Sequence, residues 1–391
     1  MNSVLKHKFI VISGDTGNAL GVIRALGEAG VQPILIYLFE ATHLPTLIKS
    51  KYLTIVHKVF SYDDALNIAI AKYGNEDNRP FLYTCDDSIQ TIVDERYDDL
   101  YKKFYFFNAG EKGRINHLMD KHVICKLAEE CGCNIPKQEV VDTGILPTSL
   151  RYPVMTKTLK STMGLWKADS YICNNADELK AAYSKIQSPK LLIEEYLNKQ
   201  NEFSLQGYSC NSGQEVYIPY KITYLRSSSS SYGHYMKVET FSDESLFLQI
   251  KRIIEAARYE GCFEVEFLID QENRIWFLEV NFRFSFWNYA LTFGGVNYPI
   301  KWAESMLMNH IVSPPKETIK PYFTALNEPG DFGQSVVRKK ISFMQWLKDM
   351  RAADMLYFYN PNDPLPACSF WWHKFIRMIN KHILKIKSTC N

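Results

Sequence analysis

The chain has 391 residues, 46% of them hydrophobic and 23% charged, which is enough apolar side chain to fill roughly two or three cores. A net charge of +2, with no basic stripe interleaved with aromatics, excludes nucleic acid as the main partner. Nine scattered cysteines, an odd number, fit a reducing compartment better than a disulfide framework.

Lys6-His-Lys8 leads straight into the apolar run 8–13 without a cleavage site, and no apolar stretch approaches the ~20 residues of a membrane span. A cytoplasmic location is expected. Residues 14–21 turn the chain into a helix at 18–29, and 31–38 reads as the next strand, giving a βαβ unit. Its glycines, Gly14, Gly17 and Gly21, are spaced G-x-x-G-x-x-x-G rather than G-x-G-x-x-G. An NAD(P)-dependent oxidoreductase with Glu40 on the ribose is therefore the weaker reading. Backbone amides near Thr16, Gly17 and Asn18 at the helix start would instead hold a substrate carboxylate. Further helices are expected at 63–73 and 89–101. The strand Phe81-Leu-Tyr-Thr84 runs into Asp86 and Asp87, one expected to cap the next helix and the other to face a crevice with a substrate role.

A helix at 121–131 precedes Asn134-Ile-Pro136. Cys125, Cys131 and Cys133 lie close together but lack the second pair or the histidine that a zinc site needs. Residues 151–157 read as a short strand ending in Lys157, followed by the polar loop 158–164 and a strand-like segment at 167–173. A lysine beside a glycine-containing loop is a phosphate grip. Gly164 is the loop's single glycine, so its backbone approaches phosphate less closely, and Lys160 is expected to compensate. Residues 190–197 form a strand running into a polar turn and Glu202, a layout suited to an adenine against backbone groups and a carboxylate on the ribose. Ser227–Ser231 reads as a surface loop, or as a lid bringing Lys221, Arg226 or His234 to a phosphate or carboxylate.

Val265, Phe267 and Ile269 alternate with Glu264, Glu266 and Leu268, and 271–274 turns the chain back into Ile275-Trp-Phe-Leu-Glu-Val-Asn-Phe-Arg283. A hairpin can carry such polar residues on its solvent face with no function. Here Glu266, Glu279 and Asn281 converge, and hard oxygen ligands suit Mg²⁺ holding a nucleoside triphosphate. Arg283 follows two residues on, where its guanidinium would hold a phosphoryl group or a carboxylate. After Pro314, Ser342 is expected to cap a short helix. Residues 369–387 show apolar positions at helical spacing with cations between them, which suits either an anionic membrane or partner contact, or packing on the chain's own domain.

This order of parts resembles the ATP-grasp superfamily over roughly residues 1 to 310. "NALGVIRALGEAGV" (18–31), "TCDDSIQTIVDE" (84–95) and "EVNFRFS" (279–285) are similar to its carboxylate–amine ligase branch, with D-aspartate ligases and carbamoyl-phosphate-synthase-like proteins. The resemblance implies an α/β chain: a Rossmann-like pre-ATP-grasp domain at 1–115, and an α+β ATP-grasp domain at 116–312 with a small lobe to about 190 and a large lobe from 191. A C-terminal extension at 313–391 would carry the basic amphipathic helix. It further implies ATP with Mg²⁺ or Mn²⁺ and an acylphosphate passed to an amine with release of ADP, the substrates being amino-acid- or peptide-like. Lys121 and Lys157 would contact phosphate, Glu194, Glu195 and Leu197 would form the adenine hinge, and Glu202 would take the ribose. Glu266, standing where many members have aspartate, would bind metal with Glu279 and Asn281, while Arg283 steadies the reacting group. A dimer is compatible with this family, and a nucleotide-binding partner protein without turnover is the competing expectation.

Overall fold

The computed structural model describes residues 3–40, 45–162, 166–226 and 233–376. The loop residues Gly164 and Ser227–Ser231, and 377–387 of the basic segment, lie outside them.

Five parallel strands come first: β1 (Phe9–Ser13), β2 (Ile34–Leu38), β3 (Ile55–Val59), β4 (Phe81–Thr84) and β5 (Tyr105–Phe106), ordered β3-β2-β1-β4-β5. Helices cover both faces, so every residue of β1 is buried. Phe9 and Val11 point into the core shared with α1 (Gly17–Glu28), while Ile10 and Ile12 point into the one shared with α2 (Tyr62–Tyr73) and α3 (Asp87–Glu95). Strand order reverses between β1 and β4, so the turns at 14–16 and 85–86 open on one crevice.

A small antiparallel sheet follows, β6 (Gln138–Asp142), β7 (Val154–Thr158), β8 (Ile172–Cys173) and β9 (Lys190–Glu195), in the order β6-β9-β7-β8 and with its own core around Val154, Leu179 and Ile193. The large sheet holds β10 (Lys199–Cys210), β11 (Glu215–Tyr224), β12 (Tyr235–Thr240), β13 (Gly261–Asp270), β14 (Ile275–Asn281), β15 (Tyr322–Leu326) and β16 (Met355–Leu356), ordered β14-β13-β10-β11-β12-β15-β16. It shares one apolar core with the α1 face of the first sheet. At the junction the Phe107 ring lies 4.8 Å from Trp302 and 5.2 Å from Phe284, and the Tyr83 hydroxyl donates to the Pro299 carbonyl at 2.7 Å. Each such buried ring contributes about 1.5–3 kcal/mol.

Two expectations change. The segment 167–173 is a 3₁₀ turn at Trp166–Asp169, with only Ile172–Cys173 paired to β7. The buried Asp169 carboxylate accepts the Ser188 hydroxyl at 2.6 Å and the backbone N–H groups of Gln187 and Ser188 at 3.2 Å, which holds the chain folded there. Residues after 312 are not a separate extension, because β15 pairs with β12 and β16 with β15 inside the large sheet. Beyond β16, Asp363 and Arg24 of α1 form an ion pair with both side chains fully buried, and Arg24 also donates to the Tyr357 and Phe358 carbonyls at 2.8 and 2.9 Å. Residues 365–376 are helical; Phe370 and Trp371 pack on Phe358 and Phe332, while Trp372 and Phe375 stay exposed. No helix among the described residues is long and apolar enough to cross a membrane.

Candidate active site

The hairpin is β13–β14. Its turn places Asn273 at φ 60°, and the Asp270 carboxylate accepts the backbone N–H groups of Glu272 and Arg274 at 2.9 Å, which fixes the register. Glu264 then faces Asn281 across the ladder, and Glu266 faces Glu279. Like charges directly opposite repel. Lys121 answers this: it opens the helix Lys121–Glu130, capped by Asp120, and forms an ion pair with Glu279. Burial pulls the Lys121 pKa down, as does the nearby charge of Lys157. Desolvation, with the charges of Glu264 and Glu202, pushes Glu266 up to about 7.

Asn281 donates its amide N–H to Glu266 at 2.9 Å and to Glu264 at 3.3 Å, and its amide oxygen accepts from Arg283 at 3.0 Å. Gln206, on the neighbouring β10, donates to Glu264 at 3.1 Å. The Arg283 Nε sits 2.7 Å from Asp87, which also accepts the Ser161 hydroxyl at 2.6 Å. This partner keeps the guanidinium protonated despite its burial and draws the Asp87 pKa down against desolvation. Asp86 is the helix cap: it accepts from the Ile89 N–H at 3.0 Å and from the Tyr62 hydroxyl at 2.7 Å. The pair thus divides into a cap and a site residue.

The other expected residues divide similarly. Lys157 on β7 pairs with Glu194 on β9; burial lowers its pKa, and the Glu194 carboxylate more than offsets that, so the net shift is upward. Glu195 accepts the Arg151 N–H at 2.9 Å, and Leu197 is half-buried just past β9. Glu202 borders the central cavity and is held by Lys199 at 2.8 Å. Lys160 is half-buried, and its charge acts on Asp94. Thr16 caps α1, and Gly17 lies so close to the Phe286 ring that a Cβ would overlap it. Asn18 reaches into the cavity, its amide donating to the Cys85 and Phe284 carbonyls at 2.8 and 3.2 Å. Arg226 is drawn to Asp331 and Asp349, and Lys221 sits 4.3 Å over the Phe203 ring.

The cavity holds about 310 Å³. Met119, Ile124, Phe203, Phe267 and Leu278 give it apolar lining, and the hairpin carboxylates line it too. Ser285, Phe286, Trp287, His234 and Asn327 line it as well. Of this last group the sequence offers His234, and Ser285 as the last residue of the 279–285 motif. Glu264 was legible from its alternation with Glu266, whereas Asn327 enters because β15 pairs beside β12, a contact no local pattern signals.

Glu266 and Glu279 are the two carboxylates the fold brings together, and Asn281 lies beside them with its amide N–H turned to Glu266 and its oxygen to Arg283. Among the described residues no group of three His, Cys, Asp or Glu closes on one point. That donor set suits a hard divalent ion, Mg²⁺ or Mn²⁺, that completes its shell with water and phosphate oxygens, and does not suit a soft metal.

No family model matches the chain. N5-carboxyaminoimidazole ribonucleotide synthase of Staphylococcus saprophyticus is 26% identical over 176 residues, 42% of this chain and 45% of that protein. The Staphylococcus epidermidis protein of that name is 26% identical over 109 residues, 28% of this chain and 29% of its own length, so the chain spans under half of these relatives. Among solved structures, the Staphylococcus aureus N5-carboxyaminoimidazole synthetase complexed with ADP superposes with a TM-score of 0.63 at 16% identity, over 84% of this chain and 87% of that one. The biotin carboxylase domain of Hydrogenobacter thermophilus 2-oxoglutarate carboxylase, in complex with MgADP, ADP and bicarbonate, gives 0.61 at 16% identity, over 81% and 73%. An L-amino acid ligase from Bacillus licheniformis gives 0.59 at 12% identity, over 81% and 78%. With its front parallel sheet, small antiparallel lobe and carboxylate-bearing hairpin in that order, the chain has the ATP-grasp fold behind an N-terminal Rossmann-like domain.

Proposed function

We propose that the chain is an ADP-forming ligase that activates a carboxylate with ATP and joins it to an amine. The carrying observation is the Glu266–Glu279 pair with Lys121 on one side and the Asp87-held Arg283 on the other. ATP would lie with its adenine toward Glu194, Glu195 and Leu197, its ribose by Glu202 and its phosphates by Lys121, Lys157 and Lys160. Glu266, Glu279 and Asn281 would hold Mg²⁺, which would offset the charge of the phosphates.

Arg283 holds the substrate carboxylate in line with the γ-phosphorus. A carboxylate oxygen forms the new P–O bond while the bond to ADP breaks. The amine nitrogen then attacks the acyl carbon, and phosphate leaves with the electron pair and takes up the proton the amine loses. Arg283 stays fully charged throughout, so it opposes the charge building on the acyl phosphate. Positioning and electrostatics supply the rate; no side chain is needed as a covalent carrier.

Relatives and neighbours support two carboxylates, bicarbonate and an amino acid, since their names include a carboxyaminoimidazole ribonucleotide synthase, a bicarbonate complex and an amino acid ligase. ADP release should require both a carboxylate and an amine. A screen of bicarbonate and amino acids against a panel of amines tests this, and AMP as product would remove the acylphosphate step. Exposed Trp372 and Phe375 favour a second role, contact of the basic C-terminal segment with an anionic membrane, which sedimentation with anionic vesicles tests.

A further inference from the structure

The wall contributed by the loop after β14 and by the start of the segment after β15 differs from the hairpin floor. Asn18 and Arg283 both donate to the Phe284 carbonyl, at 3.2 and 3.3 Å, so the next residues, Ser285 to Trp287, begin where the guanidinium ends. Phe286 is wedged between Gly17 and the Tyr357 ring, with ring centroids 4.3 Å apart. Tyr357 is tied to the end of β15 through its N–H to the Leu326 carbonyl at 2.8 Å, which brings the adjacent Asn327 to the same cavity. Asn327 lies 3.1 Å from the His234 Nδ1. Packing fixes these groups, and they offer rings, amides and hydroxyls.

Ser285 gives the second observation. It is 3% exposed, lines the cavity, and its hydroxyl has no hydrogen-bond partner among the described residues. A buried hydroxyl left unpaired carries a desolvation cost. A ligand atom that pairs with it recovers that cost on binding.

Among the described residues, the two cations lining the cavity, Lys121 and Arg283, are paired with Glu279 and Asp87 at the hairpin end, where the ligase reading already places the ATP phosphates and the substrate carboxylate. A phosphate against the Ser285–Trp287 wall would trade water for rings and neutral dipoles, an exchange that disfavours an ion. A flat, uncharged group gains stacking on Phe286 or Trp287 and a neutral hydrogen bond to Ser285.

We infer, resting on the ligase reading, that the acceptor is an amine carrying a flat, uncharged, aromatic or heteroaromatic group seated against Ser285, Phe286 and Trp287, and that it bears no phosphate. The acceptor thus differs from the phosphorylated ribonucleotide in the relatives' name.

Equilibrium binding to the MgADP-loaded protein tests this without requiring turnover. The probes are 5-aminoimidazole riboside, its 5′-phosphorylated ribonucleotide, and L-phenylalaninamide. The riboside and the phenylalaninamide should bind, and the ribonucleotide at least about tenfold more weakly than the riboside. Ser285→Ala should weaken the riboside by about tenfold, the ~1.4 kcal/mol of one buried hydrogen bond, while ADP affinity holds. Tighter binding of the ribonucleotide, no binding of either uncharged amine, or a Ser285→Ala variant with unaltered riboside affinity would each overturn the inference. Failure of the ligase reading is separate: it would show as no ADP formation with any carboxylate and amine while these binding results stand.

Discussion

Glu266 and Glu279 face each other directly across the β13–β14 ladder, an arrangement that repels unless a cation sits between or beside the two. Lys121 supplies one cation from the protein, and the proposed metal supplies the other. Glu279→Gln should therefore keep the fold, since the amide is nearly isosteric, yet lower kcat by about 10²-fold or more and raise the Mg²⁺ concentration needed for half-maximal rate. Normal turnover of this variant at limiting Mg²⁺ would detach the hairpin from catalysis.

The raised pKa of Glu266 sets a pH dependence. Between the ordinary glutamate value and about 7 the folded protein retains a proton that the unfolded chain has lost. This contribution to stability is complete at low pH and disappears as pH rises through about 7. Mg²⁺ competes with that proton, so the rise in Tm caused by Mg²⁺ should grow from about pH 6 to about pH 8. Glu266→Gln should flatten the profile, which thermal unfolding at fixed ionic strength reads directly.

Asp87 holds both Arg283 and the Ser161 hydroxyl. Asp87→Asn keeps the size but removes the charge that aims the guanidinium. The expected result is a fall in kcat of about 10–10²-fold with little change in the KM for ATP. An equal rise in the ATP KM would make Asp87 part of the nucleotide site instead.

Gly17 meets the Phe286 ring where a side chain would begin. Gly17→Ala should push that ring off the cavity wall at a cost of about 1–3 kcal/mol, visible as a lower urea midpoint. Amine affinity should drop with it while ADP binding persists.

Arg24 and Asp363 pair with no exposure on either side. Removing one partner leaves a buried charge, so Asp363→Ala should cost about 3–5 kcal/mol. Truncation after residue 353 should abolish folding, because it takes away β16 and this pair together. A truncated chain that still binds MgADP with a cooperative melt would contradict the built-in role of the C-terminal segment.

Much of the candidate site's floor was legible as geometry because it is local. The alternation around Glu266, the turn at 271–274 and the spacing from Glu279 to Arg283 all lie within one hairpin, where period-two geometry decides which side chains meet. Asp86 and Asp87 were legible as a pair, but only the Tyr62 hydroxyl and Arg283 on either side assign the cap and the site residue. The 3₁₀ turn at Trp166–Asp169 was hidden because it depends on an aspartate reaching residues 187 and 188. Asn327 and Tyr357 were hidden for the same reason on a larger scale: two strands from the last quarter of the chain close a wall begun by the first helix.

The single core shared by the first sheet and the large sheet also makes the two ends of the cleft mechanically unequal. The half that would receive the amine is built from parts locked together by Trp302, Phe107 and the Arg24–Asp363 pair, so it is a fixed anvil. The half that would grip phosphate hangs from a lobe with its own small core, joined near the site through Ser161 on Asp87 and the Lys121 N–H to the Leu159 carbonyl at 2.8 Å. A rearrangement on nucleotide loading would fall on the lobe, and Asp87, gripped by Ser161 and by Arg283, would carry its seating to the guanidinium.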